Sequence, residues 1–175
     1  MELLIISQII GLTAVGLYLL SYQLKKRRQI VWITCISNAL YVLQYILLGA
    51  YSGAVMDFLS TVSSFMAAKK NEAPFSRYAR WLAFSNLFVI AVAGIVSATL
   101  QHDWIELIPV AGAILQTGGL WCDNEQTIRK FGLCGAPFWL VYNYISQSYA
   151  AALGSLIAIV SVIIAMIRYR ENKEV

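Results

Sequence analysis

The stretch QLKKRRQI at residues 23–30 decides the fold of this chain. Four consecutive basic residues, Lys25–Arg28, interrupt a sequence that is apolar from residue 3 and apolar again from residue 30. Hydrophobic residues make up 59% of the 175 residues and charged residues 13%, whereas a soluble domain is about half apolar and a quarter charged. This number of charged residues is too small to cover the surface of a soluble globular protein. We therefore predict a membrane protein whose charges lie at the ends of its spans.

Seven apolar runs have about the length that a bilayer requires, roughly 17–25 residues. They are residues 3–24, 30–49, 51–68, 79–100, 105–121, 130–148 and 150–168. Positive charges follow the first run instead of preceding it, so this run is predicted to be a spanning helix and not a signal peptide. Strands are disfavoured because the runs do not alternate in hydrophobicity and an open sheet leaves backbone groups unpaired in lipid. We predict an all-α integral membrane protein with seven transmembrane helices.

The basic residues are sorted to one side of these seven spans. All 13 lysines and arginines fall in the first, third or fifth connection, in the first two residues of the run that follows it, or at or after the end of the last run. They are Lys25, Lys26, Arg27 and Arg28; Lys69, Lys70, Arg77 and Arg80; Arg129 and Lys130; and Arg168, Arg170 and Lys173. The positive-inside rule then predicts a cytoplasmic C-terminus and an N-terminus outside. An even number of spans would destroy this sorting.

An internal repeat is suggested when residues 9–70 are moved along the chain by about 98 positions. YVLQYI at 41–46 then lies over WLVYNYI at 139–145, with a slip of one residue near the second turn to keep the amides in register. We predict a first three-helix repeat at 1–70, a loop and linker helix at 71–101, and a second repeat with a basic tail at 102–175. A unit of three helices ends on the opposite side of the membrane from where it began. The linker helix brings the chain back, so both repeats run in the same direction and are related by an axis along the membrane normal.

Polar side chains at membrane depth provide the candidate binding residues. Amides at matching places in the two repeats, Gln44 and Asn143, would cost a few kcal/mol if left unpaired in hydrocarbon. We predict that they bind a solute near the middle of the membrane, with Tyr41 and Trp139 as walls and with Gln116 and Tyr18 contributed by helices 5 and 1. The alternative is that the amides bond neighbouring helices, as polar residues in membranes commonly do.

Asp57 is the acid that lies within an apolar run, six residues after Tyr51. A carboxylate inside a membrane span indicates a functional site by default. A hydrated carboxylate near the outer interface is an equally open alternative, because the second repeat has Ser155 at the matching place. On the first interpretation Asp57 belongs to the substrate-binding residues and lies on the outer route to the site.

Several classes of protein have no support in the sequence. The three cysteines have no metal-ligand spacing, and neither a phosphate-binding glycine loop nor H-E-x-x-H nor G-x-S-x-G occurs. The charges do not form the basic face that a nucleic-acid-binding protein needs. We therefore expect no enzymatic activity, no cofactor, no metal and no nucleic-acid partner.

Four stretches resemble the YgjV family of bacterial inner-membrane proteins. They are QYILLGAYSGA from residue 44, ELIPVAGAIL from 106, WLVYN from 139 and IRYR from 167. The resemblance covers nearly the whole chain and implies a location in the bacterial inner membrane. The plan of three, one and three helices in turn resembles the SWEET and PQ-loop group. The chain departs from that group in having Tyr22, not proline, before Gln23, and LWC at the matching place in helix 5.

The leading functional hypothesis is a SWEET-like alternating-access carrier of a small neutral or zwitterionic polar solute, embedded in the lipid bilayer. The main alternative is a scaffold, accessory or receptor subunit with a self-satisfied polar core, and a weaker one is a lipid-handling protein with an apolar lateral opening. Homo-oligomerisation is left open. A hydrated cavity that reaches Gln44 and Asn143 would favour the carrier over the scaffold.

Overall fold

The computed structural model describes residues 2–171, and this part of the chain consists of α-helices and short connections. The seven α-helices are α1 (Glu2–Gln23), α2 (Arg27–Leu48), α3 (Tyr51–Ala68), α4 (Phe75–Gln101), α5 (Leu107–Leu120), α6 (Glu125–Ile145) and α7 (Tyr149–Glu171). A 3-10 turn at Trp104–Glu106 precedes α5, and no strand occurs within residues 2–171. The predicted all-α fold with seven helices is confirmed.

The helices differ in how closely they match an isolated membrane span. Four of those described, α1, α2, α4 and α7, are long and apolar enough to cross a bilayer on their own. The 14 residues of α5 extend only about 21 Å at 1.5 Å per residue, although the 3-10 turn lengthens this segment. Helix α3 buries five polar side chains, namely Ser52, Asp57, Ser60, Ser63 and Ser64. The less apolar helices therefore direct their polar groups towards other helices.

Two helices begin four or more residues earlier than the hydropathy predicts. Helix α4 starts at Phe75 instead of residue 79, and α6 starts at Glu125 instead of residue 130. Asn124 explains the second difference, because its side chain accepts a hydrogen bond from the Gln126 backbone N–H at 2.8 Å and so caps the helix. Arg129 and Lys130, predicted to lie in the fifth connection, therefore lie in the first turns of α6.

Six of the helices form a closed ring in the order α1, α2, α3, α5, α6, α7 and back to α1, while α4 packs outside it against α3 and α5. The outer surface is apolar. On α4, the side chains of Trp81, Phe84, Phe88 and Leu100 are between 66% and 76% exposed. Many polar side chains are buried instead, which reverses the distribution expected of a soluble protein. This surface suits contact with lipid.

The two helix triplets, α1–α3 and α5–α7, run in the same direction and meet through their basic residues. Arg27 at the start of α2 donates to the backbone oxygens of Leu120 at 2.7 Å and Cys122 at 2.8 Å, at the end of α5. Reciprocally, Arg129 of α6 donates to the Leu24 oxygen at 2.9 Å, after the end of α1. We call this side of the protein the basic end. Lys173, which the sequence also assigned to it, lies outside the described residues.

An ion pair at the basic end predicts a pH-dependent contribution to stability. The Lys70 ammonium group lies 2.6 Å from the Asp123 carboxylate and holds the pKa of that carboxyl group below its usual range. Because the folded-state pKa is the lower one, the pair stabilises the fold above the unfolded-state pKa, and this stabilisation is lost as the pH falls through the folded-state pKa. Asp123 is largely exposed, so the contribution is below about 1 kcal/mol.

We therefore expect Asp123→Asn to lower the melting temperature slightly at pH 7 and to match the wild type in acid. Melting curves in detergent from pH 3 to 8 measure this difference. In a Lys70→Met background, Asp123→Asn should have no such pH-dependent effect. A difference that persisted in acid, or in that background, would contradict the role given to the pair.

Candidate functional site

A polar cavity of about 30 Å³ lies at the centre of the ring. This space can hold about two water molecules, since one water needs roughly 10–15 Å³ by this measure. Every helix of the ring contributes at least one lining residue, and α4 contributes none. The lining consists of Tyr18, Asn38, Tyr41, Tyr45 and Asp57 from the first triplet and Gln116, Ala136, Trp139, Asn143 and Ser155 from the second. The cavity therefore belongs equally to both triplets.

These ten residues form five pairs with a single spacing of 98 residues, the separation of Tyr45 and Asn143. The pairs are Tyr18 and Gln116, Asn38 and Ala136, Tyr41 and Trp139, Tyr45 and Asn143, and Asp57 and Ser155. A constant spacing is the pattern expected if a pseudo-twofold axis relates the triplets and passes through the cavity. The slip of one residue in the sequence alignment is therefore unnecessary.

The same relation holds in the hydrogen bonds towards the basic end. Gln23 Nε2 donates to Ser161 Oγ at 2.8 Å, and Trp121 Nε1 donates to Ser63 Oγ at 2.8 Å. Trp121 follows Gln23 by 98 residues, and Ser161 follows Ser63 by 98 residues. The second bond is therefore the equivalent of the first with the two triplets exchanged. Equivalent side chains thus make equivalent contacts although the residue types differ, which explains why sequence identity between the repeats is low.

Six of the seven candidate residues from the sequence line this cavity. They are Tyr18, Tyr41, Asp57, Gln116, Trp139 and Asn143. Asp57 is 5% exposed and lines the central cavity. It therefore does not occupy the hydrated position at the outer interface that was the alternative interpretation. The structure brings these side chains together, and their role in binding a solute remains a prediction.

Gln44 is the candidate that does not reach the cavity. It is fully buried, and its Nε2 donates to Ser148 Oγ at 2.9 Å. A Cβ atom added to Gly11 of α1 would lie 2.6 Å from Gln44 Oε1, so the amide occupies the space left by the glycine. Ser37, two turns earlier on the same face, donates to the Ala14 oxygen of α1 at 2.8 Å. This face of α2 therefore packs against α1.

The adjacent face of α2 lines the cavity, with Asn38, Tyr41 and Tyr45. Consecutive residues of a helix point about 100° apart, so assigning the site to Gln44 instead of Tyr45 selected the wrong face. Tyr45 was missed because the two amides were aligned by residue type. The constant spacing was the signal that could have found it, since it pairs Asn143 with Tyr45 and not with Gln44.

Asn143 connects three helices at the edge of the cavity. Tyr45 Oη donates to Asn143 Oδ1, and Asn143 Nδ2 donates to Ser155 Oγ at 3.2 Å. A side-chain amide has two donors and two acceptor lone pairs, so these bonds leave one of each. Asn143 can hold α2, α6 and α7 together and still bond a molecule in the cavity.

Several polar side chains of the lining, among them Asp57 and Trp139, have no hydrogen-bond partner among the described residues. No hydrogen bond or ion pair joins the Asp57 carboxyl group to another side chain there. Trp139 Nε1 is buried and donates to nothing within the described part of the chain. Buried polar groups are normally paired. The Asp57 carboxyl group is therefore the best candidate for direct contact with a bound molecule. Trp139 Nε1 instead packs against α5, where a Cβ atom on Gly112 would lie 2.8 Å from it.

Hydrogen bonds join the triplets on both sides of the cavity. On the side away from the basic end, Tyr142 Oη lies 3.1 Å from Ser52 Oγ and accepts from the Gly53 N–H at 2.9 Å. Towards the basic end, Thr117 Oγ1 donates to Ser60 Oγ at 2.9 Å. The cavity thus lies between two sets of contacts. Within residues 2–171 no group of three or more His, Cys, Asp or Glu side chains could hold a metal ion.

An apolar exterior, seven helices and a polar cavity enclosed by six of them define a polytopic α-helical membrane protein. Residues 5–173 match the Imp-YgjV family, described as bacterial inner membrane protein, and the chain belongs to this family. Inner membrane protein YgjV of Escherichia coli (strain K12) is 23% identical over 116 residues, which are 66% of this chain and 58% of that relative. The chain thus spans well under two thirds of the relative. No solved structure matches the chain.

Proposed function

We propose that the protein is a carrier for a small polar solute, and not an enzyme, and that the solute binds in the central cavity between two repeats. The repeats are residues 1–70 and 102–175, with residues 71–101 as the linker. One observation carries the proposal: all six ring helices contribute residues, in pairs spaced by 98, to a single polar cavity. A site on the axis between two like-facing halves is the arrangement that alternating access requires.

The contacts on either side of the cavity would act as the two gates. Opening away from the basic end requires release of Tyr142 from Ser52 and Gly53 and of Gln44 from Ser148. Opening at the basic end requires release of Arg27 and Arg129 from the other triplet. The basic end faces the cytoplasm by the positive-inside rule. Because a cavity of about 30 Å³ holds about two water molecules, the triplets would have to rock apart to admit a larger solute.

A scaffold with a self-satisfied polar core is the second candidate. It is favoured by the bonds that Gln44 and Asn143 make to neighbouring helices and by the small volume of the cavity. It does not account for the Asp57 carboxyl group, which forms no hydrogen bond or ion pair with another side chain of the described residues. Gln44 Oε1 and Trp139 Nε1 are also buried without partners there, but an unpaired buried acid is more costly than an unpaired amide or indole group.

The two candidates differ in their response to solutes. We expect a panel of small neutral, zwitterionic and charged solutes to contain at least one compound that raises the melting temperature of the wild type. Asn143→Ala should weaken its binding about tenfold, the effect of one lost hydrogen bond. Gln44→Ala, which alters a buried amide outside the cavity, should change the affinity less than Asn143→Ala does, even where it lowers the melting temperature itself.

Uptake of the same compounds into proteoliposomes then tests carriage. If the protein is a scaffold, it would bind none of these compounds, and proteoliposomes that contain it would take up no more of them than empty vesicles do. Equal loss of affinity in Gln44→Ala and Asn143→Ala would also contradict the site, because it would show a general effect of weaker packing.

A further inference from the structure

We infer that the cavity binds a small organic cation through a protonated amino group, with Asp57 as its counter-ion. The inference rests on the proposed function, since it names the chemical class that the carrier would take. It begins from the charge of the site. Asp57 is 5% exposed, yet no basic side chain of the described residues forms an ion pair with it.

Within residues 2–171 no basic side chain balances this carboxylate. Arg27, Lys70 and Arg129 bond backbone oxygens at the basic end, and the sequence assigns the other lysines and arginines to the same side of the spans. Burying a carboxylate without a partner is strongly unfavourable to its charged form. A carboxylate kept at the axis without a protein partner is therefore suited to receive its partner from a ligand.

The walls of the cavity have the composition of a site for an ammonium group. Tyr45 stacks between Tyr41 and Trp139, with ring centroids 6.2 Å and 6.3 Å apart. Aromatic rings around one carboxylate attract organic cations through their negative faces. A metal cation such as Mg²⁺ or Ca²⁺ would instead need six or more oxygen ligands, which these rings do not provide.

The number of free acceptors also fits a primary amine. The amides of Asn38 and Gln116 line the cavity, and neither side chain bonds another described residue. Together with Asp57 they offer three acceptor groups, and a primary ammonium group has three N–H donors. The volume of about 30 Å³ fits such a head group, which is about as large as a water molecule.

The test uses methylammonium and ethanolammonium as probes, with purified full-length protein in detergent at constant ionic strength. We expect both to raise the melting temperature of the wild type in a saturable way. Asp57→Asn, which keeps the shape and removes the charge, should weaken their binding about 100-fold, as expected when one partner of a buried charge pair is lost. Asp123→Asn, a carboxylate change at the exposed basic end, should bind them as the wild type does.

Further probes separate this inference from the carrier proposal. Methanol and ethylene glycol are neutral analogues, tetramethylammonium lacks N–H donors, and Na⁺ and K⁺ carry charge alone. The inference is overturned if neutral solutes bind while amines do not, if Asp57→Asn binds amines as well as the wild type, or if Na⁺ or K⁺ competes better than the amines. In those cases a carrier of another solute still stands. If no probe of any kind binds the protein or enters proteoliposomes that contain it, the carrier proposal fails as well.

Discussion

Arg129→Met is expected to lower the free energy of unfolding by about 2 kcal/mol, because hydrogen bonds from charged donors contribute about 1.5–3 kcal/mol. The Arg129 side chain is 2% exposed and donates to the backbone oxygens of Tyr22 at 3.2 Å and Leu24 at 2.9 Å. Its guanidinium group also lies 4.6 Å from the centre of the Tyr169 ring. It thus supplies partners for carbonyl groups that the end of α1 leaves unbonded.

Melting curves in detergent would measure this loss, which corresponds to about 4–8 °C for a chain of this size. Lys130→Met is the matched control: the neighbouring side chain is exposed, so its change should stay within about 0.5 kcal/mol of the wild type. Arg129→Lys keeps the charge but loses the planar fork, and we expect an intermediate result. Equal melting temperatures for the Arg129→Met and Lys130→Met variants would show that the cap contributes nothing.

Arg129 also illustrates what the sequence could predict about the fold. Its place on the basic side followed from the sorting of charges, which needs only hydropathy and the positions of lysine and arginine. Its burial could not be foreseen, because it depends on α6 beginning at Glu125 and on the ends of α1 and α7 lying beside it. The number of helices is encoded locally along the chain, whereas the contacts at their ends depend on packing between distant segments.

The candidate site was partly predictable for a similar reason. Polarity within apolar runs identified Asp57, Asn143 and four other lining residues. Hydropathy alone does not fix the rotation of a helix, and a difference of one residue turns a side chain by about 100°. Gln44 was therefore assigned to the cavity on its residue type. The constant spacing of 98 residues carries the missing information, because it assigns faces by position and not by chemistry.

Gly11 and Gln44 provide a direct test of that rotation. A Cβ atom on Gly11 would overlap the Gln44 amide, so we expect Gly11→Ala to lower the free energy of unfolding by about 1–3 kcal/mol, as overpacking of a filled core does. Gly16 of the same helix has no atom within 4 Å of such a Cβ. Gly16→Ala should therefore be neutral or slightly stabilising, since alanine favours helix by up to about 1 kcal/mol over glycine.

The double variant distinguishes this contact from a general intolerance of α1. Gln44→Ala alone should destabilise, because it removes the bond to Ser148 and leaves a void beside Gly11. Adding Gly11→Ala to Gln44→Ala should then cost little, because the methyl group enters the vacated space. Contacting residues couple in this way, whereas independent sites add. If Gly11→Ala lowered the melting temperature equally in both backgrounds, Gln44 would not face α1, and its exclusion from the cavity would be wrong.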